Sequence, residues 1–299
     1  MSVGDDAAVV RPRPGMDIVA STDMLVAGTH FLADTDAHAL GWKALAVNLS
    51  DLAAMAAQPR WVLLAISLPA ADERWVEAFA GGFFSCAEAF EVDVIGGDTT
   101  RGPLTITPTV FGEVPHGREL TRAGARAEDD VWISGSPGRA SLGLAALLGR
   151  VRLAPAARGP CLLALHRPQP RVALGLALRD LAHAAIDVSD GLLADLGHIA
   201  EQSRVTLAII DGALPWSAIA ELTDDNELAR SCLLSGGDDY ELAFTAAREC
   251  RDAVAAVGND LAIPLARIGA VSRGVAEVRL LDRSGVPLTV ERRGYDHFE

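Results

Sequence analysis

Residues 37–57, AHALGWKALAVNLSDLAAMAA, place apolar or small side chains on nearly every face of a helix. Such a helix is stable only when it is largely enclosed, so the segment predicts a long buried helix early in the chain. One carboxylate, Asp51, lies inside it among Leu, Ala and Met. A buried carboxylate without a partner is costly. No matching set of lysines or arginines lies nearby in sequence. The segment therefore asks for enclosure by the rest of the chain and for something to balance Asp51.

The flanking patterns show what encloses it. IVAST (18–22) reads as a strand ending at Asp23. WVLLAISLP (61–69), VDVI (92–95) and LTITPTVFGEV (104–114) read as further strands, and Pro108 marks the last as an edge or a bulge. ERWVEAFAGGFFSCAEAF (73–90) has helical spacing. The polar, turn-rich stretch 114–130 is the best domain boundary, dividing the chain into 1–118 and 119–299. Beyond it, strands are expected at 131–136, 185–188, 206–210, 240–246 and 266–272. Helices are expected at 141–149, 171–184 and 191–203, and VRLLDRSGVPLTVE reads as a terminal hairpin. Strands and helices mix without a strict βαβα rhythm. This predicts an α+β protein of two domains, each a mixed sheet packed with helices. A chain of 299 residues, 50% hydrophobic, can fill such cores.

The formal net charge of −14 excludes a non-specific nucleic-acid binder. An acidic protein that binds a polyphosphate usually needs metal cations between the two sets of charge. No apolar run approaches the ~20 residues of a membrane helix, and MSVGDDAAVV is not a signal peptide. Cys86, Cys161, Cys232 and Cys250 show no pairing or zinc spacing. They read as reduced, mostly buried thiols, which suggests a cytoplasmic protein. Lys43 is the only lysine beside many arginines, and that imbalance reads as genomic base composition.

Aspartates recur in one setting, at the end of an apolar strand beside Gly, Ser or Thr. They are Asp5 and Asp6 (GDDAAV), Asp23 (ASTDML), Asp98 (GGDTT), Asp187 and Asp190 (DVSDGL), and Asp238 and Asp239 (GGDDYEL). Any one of them has a local explanation. Asp190 before GLLADL reads as a helix N-cap, and a Gly-Asp pair reads as a turn. Together with Asp51 they are better explained by Mg²⁺, whose preferred ligands are hard oxygens. The adjacent glycines would let backbone amides approach a phosphate, and DVIGGDTT reads as a strand presenting Asp98 in a tight loop. There is no GxxxxGK[ST], kinase catalytic loop or G-x-S-x-G elbow. The residues alone thus reach an Mg²⁺-dependent enzyme acting on a phosphorylated substrate.

GDDAAV, STDMLVAGTHF, KALAVNLSDLAAM, IGGDTTRGP, AIDVSDGL, SGGDDYELAFT and GYDHF follow one another in this order along nearly the whole chain. In this they resemble the thiamine-monophosphate kinase family, in the superfamily of aminoimidazole ribonucleotide synthetase and selenophosphate synthetase. A selenophosphate synthetase would carry a reactive Cys or selenocysteine in a glycine-rich N-terminal stretch, and none is present. A ribonucleotide synthetase would not carry NLSDLAAM with GGDDYEL and GYDHF. A non-catalytic Mg–ATP-binding protein is the remaining alternative. The family has a further, partly helical segment before its GDD motif, whereas that motif here begins at Gly4.

The resemblance implies an enzyme that uses ATP and several Mg²⁺ ions to convert thiamine phosphate to thiamine diphosphate. It also implies a homodimer formed through the N-terminal sheet. Asp6, Ser21, Thr22, Asp23, Asp51, Asp98, Asp187 and Asp190 would be metal ligands or their neighbours. Gly97, Asp98, Arg122 and Ser189 would contact ATP or its metals, and Asp98, Asp51 and Arg122 would carry the catalysis. His30, Asp238 and Tyr295 would face thiamine phosphate. On residues alone, Arg122 reads equally as a surface-loop arginine, His30 as a packed core histidine and Tyr295 as a tail residue.

Overall fold

The computed structural model describes residues 6–295. The first half forms β1 (Met16–Thr22), β2 (Leu25–Val26), α1 (Ala37–Ala54), β3 (Gln58–Leu68), α2 (Glu73–Ala89), β4 (Asp93–Arg101) and β5 (Thr105–Pro115). Its sheet runs β1-β5-β3-β4, with β2 also paired to β5. Strands β3 and β4 are parallel, and α2 supplies the crossover that a parallel pair requires.

The second half forms β6 (Asp130–Ser134), α3 (Arg139–Leu147), α4 (Pro155–His166), α5 (Val172–Leu178), β7 (Ala182–Val188), α6 (Leu192–Ser203) and β8 (Thr206–Ile210). It continues with α7 (Ser217–Ala220), α8 (Asn226–Ser235), β9 (Glu241–Ala246), α9 (Arg251–Asp260), β10 (Leu265–Ser272) and β11 (Glu277–Leu281). Its sheet runs β11-β8-β10-β6-β9-β7, antiparallel except for β11 on β8. Two mixed sheets packed with helices make the α+β class expected from the sequence.

Helix α1 lies between the two halves. It packs on α2 and β5 on one side and on α5, β7 and β9 on the other. Every residue from Leu40 to Ser50 is buried, as its all-round apolar surface demands. The chain between Pro115 and Asp130 joins the two sheets, but one core spans both halves. It unites Leu49, Phe83 and Ile106 with Leu178 and Phe244. Alternation along β6 and β9 sends Trp132 and Phe244 into this core, and Ile133 and Ala243 into a second one with Leu142 and Leu196. Helix α5 approaches α1 so closely that a Cβ on Gly175 would fall 2.0 Å from the Ala53 carbonyl oxygen. Only glycine lets the halves close there.

Several local expectations are corrected. Strand β4 runs straight through IGGDTTR, so Asp98 lies within a strand and not in a loop. Gly96 and Gly97 have φ of 151° and 156°, and a Cβ on Gly97 would strike the Leu64 carbonyl oxygen at 1.9 Å. Gly97 therefore serves close strand pairing, and Gly96 supplies the positive φ beside it. Pro108 is on neither an edge nor a bulge: β5 is an interior strand, and Pro108 pairs with Leu64 of β3. On its other side it falls in the gap where β1 has ended at Thr109 and β2 has not begun at Ile106, so its missing N–H breaks no ladder bond.

The expected helix 171–184 is a short α5 followed by β7. Helices α4, α8 and α9 were not anticipated, and Pro160 inside α4 obscures its period. The terminal hairpin is reduced to a turn and a single bridge, Leu281 to Pro287.

Candidate active site

The acidic residues converge where α1 meets the second sheet. Strand β1 ends at Thr22, and the Asp23 amide donates to Asn48 Oδ1 at 2.9 Å. Asn48 is fully buried and anchors itself by donating to the Ala44 carbonyl at 3.1 Å. Ser21 Oγ donates to Asp51 Oδ2 at 2.5 Å. Thr22 Oγ1 donates to the Pro108 carbonyl at 2.8 Å. From the other half, β7 delivers the buried Asp187, and the turn after it carries Ser189 and Asp190.

Asp190 is not the N-cap that its position suggests. The cap of α6 is Gly191, which has no side chain to bond. Asp195, in the first turn, reaches back instead and accepts from the amides of Ser189, Asp190 and Gly191 at 3.0, 3.1 and 3.1 Å. One carboxylate thereby fixes the turn and leaves the Asp190 side chain without a capping role.

The electrostatics record a surplus of negative charge. Burial, then the charges of Asp51 and Asp190, push the Asp23 carboxyl up to about 7. Burial and the Asp51 charge raise Asp187 well above the usual carboxylate range. Burial also raises Asp51, against the opposing effects of the Ser21 hydroxyl and the Arg122 charge. Each of these carboxylates lacks compensation that a divalent cation would supply, and oxygen donors suit a hard ion. Among the described residues, no three His, Cys, Asp or Glu side chains are placed to hold a metal ion together. The donor chemistry fits Mg²⁺, although no ligand cage is closed around it.

Two cavities meet at this cluster, and both Asp51 and Asp187 line each of them. The first, about 390 Å³, is walled by Val19, Ser21, Leu52, Met55 and the loop Thr121–Ala123, which includes Arg122. The Arg122 carbonyl accepts from Ser203 Oγ at 2.7 Å, which ties this loop to the end of α6. The second, about 440 Å³, gathers Thr22, Asp23, His30, Ser189, Asp190, Asp238 and Tyr295. His30 Nδ1 accepts from the Val26 amide at 3.0 Å, so a neutral ring carries its proton on Nε2. The Tyr295 amide donates to the Asp190 carbonyl at 2.9 Å, bringing the C-terminal segment to the site. Leu144, Leu147 and Leu165 of α3 and α4 add an apolar wall.

Most of the residues named from the sequence thus share one neighbourhood. Three do not. Gly97 and Asp98 line neither cavity, and Asp98 is exposed on β4, a strand with a neighbour on one side only. Asp6 is exposed in a bend, and Asp5 lies outside the described residues. Sequence reasoning missed Asn48, Asp195 and Lys43. Lys43 is only 4% exposed, and its Nζ is 2.9 Å from Asp238 Oδ2. A lone lysine in an otherwise enclosed helix was a readable signal of a buried partner.

The chain is similar to known proteins along its whole length. A family model described as AIR synthase related protein, N-terminal domain, matches residues 4–114. The thiamine-monophosphate kinase of Escherichia coli K12 is 44% identical over 299 residues, covering 100% of this chain and 92% of that protein. The crystal structure of thiamine-monophosphate kinase from Stenotrophomonas maltophilia K279a superposes with a TM-score of 0.89 at 47% identity, covering 96% of this chain and 92% of that one. A structure of AaThiL complexed with AMPPCP and TMP superposes with a TM-score of 0.83 at 30% identity, covering 96% of this chain and 89% of that one.

Proposed function

Because the chain belongs to the thiamine-monophosphate kinase family, we propose that it uses ATP to convert thiamine phosphate to thiamine diphosphate by direct in-line transfer of the γ-phosphoryl group. The observation that carries this reading is the pair of cavities meeting at Asp51 and Asp187. A donor and an acceptor seated one in each would bring their phosphates together at that junction.

The cavity beside Arg122 takes the nucleotide, where the guanidinium offsets phosphate charge and Val19, Leu52 and Met55 offer an apolar surface. The cavity with His30, Asp238 and Tyr295 takes thiamine phosphate. Ser189, on the turn fixed by Asp195, lines the acceptor side and reaches the transferring group from there. The acceptor oxygen is already ionised near neutral pH, so no residue has to act as a strong general base. Alignment and charge neutralisation carry the catalysis. Asp23, Asp51, Asp187 and Asp190, with Ser21 and Thr22 beside them, would hold several Mg²⁺ ions. Bound there, Mg²⁺ would neutralise the phosphates and orient them. Asp6, Gly97 and Asp98 belong to the metal and nucleotide set by family resemblance. The same resemblance supports a homodimer through the N-terminal sheet, whose outer strands expose Ile18 on β1 and Asp98 to Thr100 on β4.

Incubation with ATP, Mg²⁺ and thiamine phosphate, with products separated by chromatography, tests the proposal. Formation of thiamine diphosphate that requires all three components is expected. Binding of Mg–ATP without that product would overturn it.

A further inference from the structure

The acceptor cavity presents an electrostatic puzzle. Asp23, Asp51, Asp187, Asp190 and Asp238 all line it, yet it is to receive an anion. Lys43 is the only lysine or arginine among the described residues that line it. Its ammonium is buried and is held 2.9 Å from Asp238 Oδ2. Desolvating a lysine is costly, so a lysine kept in this place has a specific partner. That partner is a carboxylate in the cavity wall.

Asp238 is held from every side. Tyr240 Oη donates to Oδ1 at 3.0 Å, while Lys43 occupies Oδ2. The Asp238 amide donates to the Ser189 carbonyl, and the Tyr240 amide to the Val188 carbonyl, both at 2.8 Å. Both residues have left-handed backbones, with φ of 69° and 51°. That conformation is uncommon for residues other than glycine and persists only where surroundings impose it. Asp238 still exposes 26% of its side chain to the cavity. A carboxylate offers about four acceptor sites, so two remain for a donor on the substrate.

We propose that Lys43 is a positioning residue for the acceptor site, its ammonium holding the Asp238 carboxylate in the one orientation that receives thiamine phosphate. The inference rests on the proposed function and on Asp238 facing the substrate. Lys43 spends its charge on Asp238 and not on the transferring phosphoryl group. Its loss therefore weakens acceptor binding and spares the chemical step.

Steady-state kinetics of the full chain test this, with Lys43→Met, Asp238→Asn and the double variant, each checked for folding by thermal melting. Lys43→Met should raise the KM for thiamine phosphate about ten- to hundredfold, the range for one charge-assisted hydrogen bond. The KM for ATP and kcat should stay within about twofold. The double variant should be no worse than Asp238→Asn alone, because Lys43 acts only through that carboxylate. If Lys43→Met does not fold, comparing Asp238→Asn with the double variant still decides. An effect on kcat or on the KM for ATP, effects that multiply in the double variant, or no effect of Lys43→Met overturns the inference while the wild-type activity stands. A wild-type chain that does not turn over thiamine phosphate overturns the proposed function, and this inference with it.

Discussion

Asp51 on α1 and Asp187 on β7 come from different halves of the chain, and both line the two cavities that meet between them. The charge of Asp51 is the leading electrostatic cause, after burial, of the raised proton affinity of Asp187. Two carboxylates that repel each other in the interior are the arrangement that the proposed Mg²⁺ role would explain.

Asp51→Asn should lower kcat by orders of magnitude at moderate Mg²⁺, since a neutral amide is a far weaker ligand for the ion. The variant should fold, because the amide keeps the shape and removes a repulsion. Turnover and thermal melting measured on one preparation check both halves of this expectation. Near-wild-type rates at low Mg²⁺ would make Asp51 merely structural.

Stability without divalent cations should depend on pH through Asp23. Its folded-state pKa is raised from 3.8 to about 7, so the folded chain holds the proton more tightly than the unfolded chain. The contribution is fully present below the unfolded value and is lost as pH rises through the folded one. With a chelator present, the melting temperature should fall between those two pH values, and Asp23→Asn should flatten the slope. A slope unchanged in the variant would place the origin elsewhere.

Asp195→Ala should destabilise the chain by about 1–3 kcal/mol, because three enclosed or partly enclosed amides, that of Gly191 buried, would be left without their acceptor. It should also lower kcat by loosening the turn that carries Ser189 and Asp190. Denaturant unfolding and kinetics measure the two effects separately. A loss of stability with unchanged kcat would show that the turn keeps its shape unaided.

Tyr295→Ala should raise the KM for thiamine phosphate about three- to thirtyfold, following from roughly 0.5–2 kcal/mol of ring stacking and cation–π attraction. The ring lines the acceptor cavity, remote in role from the transferring group, so the KM for ATP should barely change. An effect confined to ATP would place the side chain on the wrong substrate.

Free thiamine should not be a substrate, because the charged cluster needs an acceptor phosphate to engage. Product formation from thiamine at a comparable rate would contradict the assignment. Light scattering at micromolar concentration should report a dimer, and a strictly monomeric mass would remove the exposed N-terminal strands from consideration as an interface.

The residues of the candidate site were legible where their signal is local. Helix α1 follows from an apolar surface on every face, and the carboxylates within or after apolar segments stood out because a lone charge there has no packing reason. Ordered motifs along the chain carried the family. Other features depended on partners far away in sequence. Pro108 looks like an edge signal until β1 and β2 are seen to leave a gap beside it. Gly96 and Gly97 look like a loop until Leu63 and Leu64 of β3 are seen paired with them. Asp190 looks like a cap until Asp195 is seen taking that role from within α6. The partner of Lys43 cannot be read along the chain, and only in the fold is Asp238, from the opposite half, found at its ammonium. Periodicity and propensity act over a few residues and can be read along the chain. The pairing of buried charge is decided by which surfaces the two sheets bring against α1, and only the folded chain contains that information.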